Sequence, residues 1–171
     1  MVMEDTHQAG EWFKPRDPHA NKLTYACIRA AKVDLVHRVL DLMDQTGNVI
    51  VAHTVQNVFF VSARKKDPDL ATKMWILAQK WNHEFSDMDY NFTVVTFITS
   101  GKDQMALATI TQAYKVGRKM TRKTLDQVAE KLALSNNRLD GAYYTLASLH
   151  ETGEPVPVEA VNTVIAGCAM R

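Results

Sequence analysis

The side chains best suited to chemistry are few in this sequence. The densest group is basic: Lys115, Arg118, Lys119, Arg122 and Lys123. Such a cluster can be a solvated helix end, where cations complement the carboxyl-end dipole, or a contact for phosphate or an acidic partner. Arg64-Lys65-Lys66 is a smaller version of it. The acidic pairs Asp67/Asp69 and Asp87/Asp89 lack the glycine and distal glutamate of a calcium loop. Asp67 instead suits the cap of a helix that opens at Pro68. Asp87/Asp89 reads as part of a connection between helices. Cys27 and Cys168 each sit in an apolar helical pattern and read as buried small hydrophobes, too few for a disulfide framework. No two histidines stand at metal-ligand spacing. There is no GxxxxGK[ST], GxGxxG or Gly-x-Ser-x-Gly. A chain without a nucleophile set, metal set or phosphate loop is expected to be neither an enzyme nor a cofactor carrier.

The elements that would carry these residues are helices. The stretch from Tyr90 to Thr121 has two helical runs broken at Ser100-Gly101-Lys102-Asp103, with a stop at Gly117. That is one αα-hairpin. Gly47, Asn82, Gly117 and Gly153 follow one another at intervals of 35, 35 and 36. Glycine and asparagine are the residues that tolerate the left-handed conformation ending a helix. Ala71, Ala106 and Ala142 keep the same time, where a paired helix would approach closely, as do Leu35, Leu70 and Met105. The extra residue of the last interval falls in the turn Ser135-Asn136-Asn137. A repeat of this length predicts an all-α, right-handed α-solenoid of antiparallel helix hairpins with a 35-residue period.

The units read as 18–52, 53–87, 88–122 and 123–157, followed by a half-unit 158–171. Residues 1–17 read as an amino-terminal arm in which Trp12 and Phe13 either pack on the first hairpin or dock onto a partner. Core stripes at helical spacing are Leu23, Ala26, Cys27, Ala30; Leu35, Val36, Val39, Leu40, Met43; Val128, Ala129, Leu132, Ala133; and Leu139, Ala142, Tyr143, Leu146, Leu149. Trp75 and Trp81 share a face of the second unit's second helix and are expected to pack in the core. In the half-unit the face of Val161, Val164, Ile165 and Cys168 lacks its usual cover, so it is expected to meet another chain. No run has membrane-spanning length, no targeting segment is visible, and the net charge of +1 provides no global field for nucleic acid or a membrane.

The period and wording resemble the pentatricopeptide repeat family. Tyr90-Asn91-Phe92-Thr93-Val94, with Gly101, Ala106 and Gly117 in register, matches its consensus, as does Val161-Asn162-Thr163-Val164-Ile165-Ala166-Gly167-Cys168-Ala169. Gly153-Glu154-Pro155-Val156-Pro157 resembles its proline-containing linker. The likeness covers residues 18–171. It implies an organellar, mitochondrial matrix-side setting and single-stranded RNA as ligand, each repeat reading one base with two side chains. Carried over, the first-helix readers are Asn21, Gln56, Asn91, Asp126 and Asn162. Their linker partners are Val51, Ser86 (or Asp87 if the register slips by one), Thr121 and Pro157, of which Val51 and Pro157 have no side-chain hydrogen-bonding group.

Two functions follow as expectations. The first is a non-catalytic subunit that scaffolds contacts with other protein subunits in a large mitochondrial assembly, such as cytochrome c oxidase or the mitochondrial ribosome. The alternative is a single-stranded RNA-binding protein of organellar RNA metabolism. Near-neutral charge and incomplete reading pairs favour the first.

Overall fold

The computed structural model describes residues 17–171, with side chains from His19 onward. Trp12 and Phe13 lie outside the described residues. Helices α1 (Asp17–Arg29), α2 (Val33–Thr46), α3 (Ala52–Lys65), α4 (Pro68–Lys80), α5 (Asp87–Thr99), α6 (Asp103–Lys115), α7 (Arg122–Leu132), α8 (Asn136–Glu151) and α9 (Val158–Ala169) follow in order. Among the described residues there is no strand. The fold is all-α, built from paired antiparallel helices as the period predicts. No helix of the described residues is long and apolar enough to cross a membrane.

The punctuation is backbone conformation. Gly47, Asn82, Gly117 and Gly153 have φ of 69°, 53°, 76° and 81°, so all four stops are left-handed. The turns inside the hairpins keep a second rhythm, with φ of 54° at Ala31, 54° at Lys66 and 74° at Gly101. These positions are also 35 apart. Alanine and lysine carry no left-handed preference, so only Gly101 betrays this turn in the sequence.

Residues 17–61 with 69–84 form one compact unit, and residues 62–68 with 85–171 form another. In the first, α1 packs on α2. Val36, Val39, Leu40 and Met43 of α2 are buried as expected. The buried row of α1 differs from the apolar stripe: it runs through Ala20, Asn21, Thr24 and Cys27, while Ala26 and Ala30 are exposed. Thr24 can go inside because its hydroxyl donates back to Ala20 O (2.9 Å). Burial pushes the Cys27 thiol above its ordinary pKa, which suits an inert core residue. On α4 the core is Leu70, Ala71, Met74, Leu77 and Ala78, and half-buried Trp75 meets Phe59 edge-on at 6.3 Å. Ion pairs Lys73–Asp41 (2.6 Å) and Lys80–Asp44 tie α4 to α2. Being partly exposed, they are worth no more than about 1 kcal/mol each.

The second unit shows solenoid stacking directly. The first helices of successive hairpins pack in series, α5 on α7 and α7 on α9, and the second helices do likewise, α6 on α8. Ala106 and Ala142 are fully buried, consistent with close helix approach. Gly167 does the same for α9, since a Cβ there would come within 3.1 Å of Ala129 O and of Leu139 Cδ2. Arg138 of α8 forks onto Asp103 of α6, with Nε to Oδ2 at 2.7 Å and a second bond to Oδ1, and its Nη2 also donates to Ile98 O (3.2 Å).

Three expectations for side chains are corrected here. Tyr143 is 64% exposed and pairs edge-on with Tyr144 rather than entering the core. Cys168 is exposed. Val164 is buried in the row Ala160, Thr163, Val164, Gly167, so of the four residues expected on the uncovered face Val161, Ile165 and Cys168 face outward. In each case a contiguous apolar stretch hid which residues share the inner face.

Candidate functional site

The first helices place the expected reading residues in one register but in unequal surroundings. Asn21 and Asn91 are buried, Gln56 is half-buried, and Asp126 and Asn162 are exposed. The expected linker partners open the next first helix. Ser86 is the N-cap of α5, Thr121 of α7 and Pro157 of α9. Val51 precedes α3, its carbonyl accepting from Thr54 and Val55.

Capping engages those linker side chains. Ser86 Oγ accepts from Asp89 N (3.3 Å), while Asp89 Oδ2 accepts from both Ser86 N and Ser86 Oγ (2.8 Å each). This is a capping box, so Asp87 and Asp89 belong to the first turn of α5 rather than to a connection. The Ser-x-x-acid spacing was the available signal. Thr121 Oγ1 accepts from Thr124 N (3.2 Å) and lies 2.9 Å from Thr124 Oγ1.

The reader and linker positions do meet within the unit that contains α5. Asn91 Oδ1 accepts from Thr121 N (2.9 Å), and Asn91 Nδ2 donates to Lys119 O (3.2 Å) and Asp87 O (2.6 Å). In the other unit Asn21 repeats the pattern: Oδ1 accepts from Val51 N (3.0 Å) and Nδ2 donates to Val49 O (3.2 Å). The meeting is side chain to linker backbone. An amide has two N–H donors, and both of Asn91's are used. A base edge approaching Asn91 would have to displace these bonds.

The basic cluster divides. Lys115 is paired with Glu154 (2.7 Å). Arg118 is half-buried and lies near Tyr90, where its charge partly offsets the pKa rise that burial causes. Lys119 offers its carbonyl to Asn91. Arg122 and Lys123 project from the start of α7, where with Asp126, Gln127, Glu130 and Lys131 they line one shallow groove. Arg122 Nε is 3.8 Å from Asp126 Oδ2 in this exposed row. Two cations beside exposed acceptors can hold a phosphate and offer an edge to a base. Among the described residues no group of three His, Cys, Asp or Glu could hold a metal.

Stacked antiparallel hairpins with left-handed stops 35 or 36 residues apart define a helical-repeat protein. Residues 52–171 match the family model described as pentatricopeptide repeat-containing protein. The chain belongs to that family. No curated protein matches it.

Proposed function

We propose that this chain binds single-stranded RNA through the exposed face of α7, in an organellar, mitochondrial setting. Family membership across residues 52–171 carries the reading, since RNA is the ligand the resemblance implies. The groove on α7 supports it, with Arg122 and Lys123 as phosphate contacts and Asp126 and Gln127 as base-facing groups. Fluorescence anisotropy with short single-stranded RNAs tests it. Binding should be measurable at low salt and weaken as salt rises. Arg122→Ala with Lys123→Ala should reduce affinity and flatten the salt dependence by roughly two counterions. A folded chain that binds no RNA at low salt rules the proposal out.

A second reading, docking within a large assembly, is favoured by α9, where Val158, Val161 and Ile165 are 63%, 39% and 59% exposed. Co-sedimentation of the native chain with a large complex, lost in Val161→Asp with Ile165→Asp, would support it. Sedimentation as a free protein would remove it.

A further inference from the structure

Two asparagines in separate units make the same pair of long-range bonds at the same spacing. Asn21 reaches Val49 O and Val51 N, 28 and 30 residues on. Asn91 reaches Lys119 O and Thr121 N, again 28 and 30 residues on. Each bond pair closes on the linker just before the next first helix, α3 or α7. Both side chains are buried, at 7% and 4% exposure. Asn91 also holds Asp87 O at the start of its own helix. One amide thus joins the opening of a repeat's first helix to the residue from which the following first helix departs. The spacing matters because donor and acceptor must meet a carbonyl and an N–H two residues apart on one strand of linker. A primary amide offers the two on separate atoms, an oxygen that accepts and a nitrogen with two N–H donors, and so can bridge both linker groups at once.

We propose that Asn91, and Asn21 by the same geometry, is a positioning residue: it fixes the departure of the next first helix and touches no ligand, so the repeat opened by α5 accepts any base. This rests on the RNA reading only for its last clause. The first clause is a property of the free protein. Loss of the amide frees the Thr121 N–H and uncovers two carbonyls, and the start of α7, which carries Arg122 and Lys123, loses its fixed direction. RNA affinity then falls because the phosphate contacts are displaced, and falls alike for every base.

The test compares the full chain with Asn91→Ala and with Asn91→Ser, the latter keeping a hydroxyl able to bond Asp87 O if alanine fails to fold. Amide hydrogen exchange under native conditions should quicken at Thr121 by about tenfold or more over wild type, beyond any change at distant core amides. With RNAs differing only in the base offered, affinity should fall several-fold in parallel and the order of preference should stay fixed. Unchanged exchange at Thr121 overturns the positioning role, whatever RNA does. A reordered base preference, with Thr121 exchange raised or not, overturns the claim that Asn91 touches no ligand. If the wild type binds none of the RNAs, the RNA reading and the any-base clause fall together, while exchange alone still decides the positioning role.

Discussion

Asn91 with Thr121 and Asp126 with Pro157 occupy equivalent places in successive repeats of one unit, and they behave oppositely. The linker backbone is the same in both: φ and ψ are −71° and 148° at Thr121, −69° and 144° at Pro157. The chemistry differs twice over. Asp126 has no N–H to give a linker carbonyl, and Pro157 has no N–H to give a side chain. Asn91 is therefore drawn inside and closes the repeat, while Asp126 stands exposed in the groove with Arg122 and Lys123. Sharing a register is not sharing a role. The same position serves the fold in one repeat and remains available to a ligand in the next.

The largest expected effect comes from removing the inward member. Asn91→Ala deletes three hydrogen bonds in a buried place and leaves polar backbone groups uncovered, which should cost about 2–3 kcal/mol of stability. Asp126→Ala should stay within about 0.5 kcal/mol, as for exposed sites generally. Denaturant midpoints of the two variants measure the contrast, and equal losses would break it.

The hairpin period was legible because glycine and asparagine at the stops have a conformational reason to be there. Val36, Leu40, Met43 and Ala106 were legible for the same kind of reason, since burial selects for apolar side chains. Thr24, Thr93 and Asn91 were not. They are buried polar residues that satisfy themselves through backbone carbonyls or N–H groups, and hydrophobic patterning does not register that solution. The candidate site was legible as a register and opaque as a surface. The position of Asn91 names a possible reader, but only the path of the linker shows where its amide goes.

A gain-of-function change tests the same contrast from the other side. Asp126→Asn with Pro157→Thr supplies the missing donors on a backbone already in the right conformation, and the threonine hydroxyl can cap α9 as Thr121 caps α7. The pair should stabilise by about 1 kcal/mol, with the introduced amide moving inward. The double variant melting no higher than wild type would mean that the longer α8, 16 residues against 13 in α6, has put the linker out of reach.

The turns inside the hairpins give a smaller effect. Lys66 and Gly101 hold equivalent left-handed positions, yet only Gly101 does so without steric cost. Lys66→Gly should raise stability by about 0.5 kcal/mol, the relief of strain being partly offset by the freer unfolded chain. The Lys66 carbonyl, which accepts from Ser100 Oγ (3.1 Å), is untouched by the change. Thermal unfolding measures it, and a lowered midpoint would show that the lysine side chain contributes more than its backbone costs.

The smallest effect is the most local. Tyr90, beside Asn91, is buried, and that burial, helped by the Asp89 charge and opposed by Arg118, raises its phenol above the ordinary value near 10. A raised folded value favours the neutral form, so the stability it contributes is complete below about pH 10 and is lost as pH rises through the folded value. Asn91→Ala loosens the first turn of α5 against the linker, admits water, and should bring the Tyr90 titration down toward its ordinary range. Asp126→Asn, on the exposed side of the comparison, should leave it unchanged. The tyrosinate absorbance of each protein, less that of the matching Tyr90→Phe variant, isolates the group. An unmoved midpoint in Asn91→Ala would mean that Tyr90 is sealed by its contact with Phe85, at 5.8 Å between ring centroids, rather than by the asparagine bonds beside it.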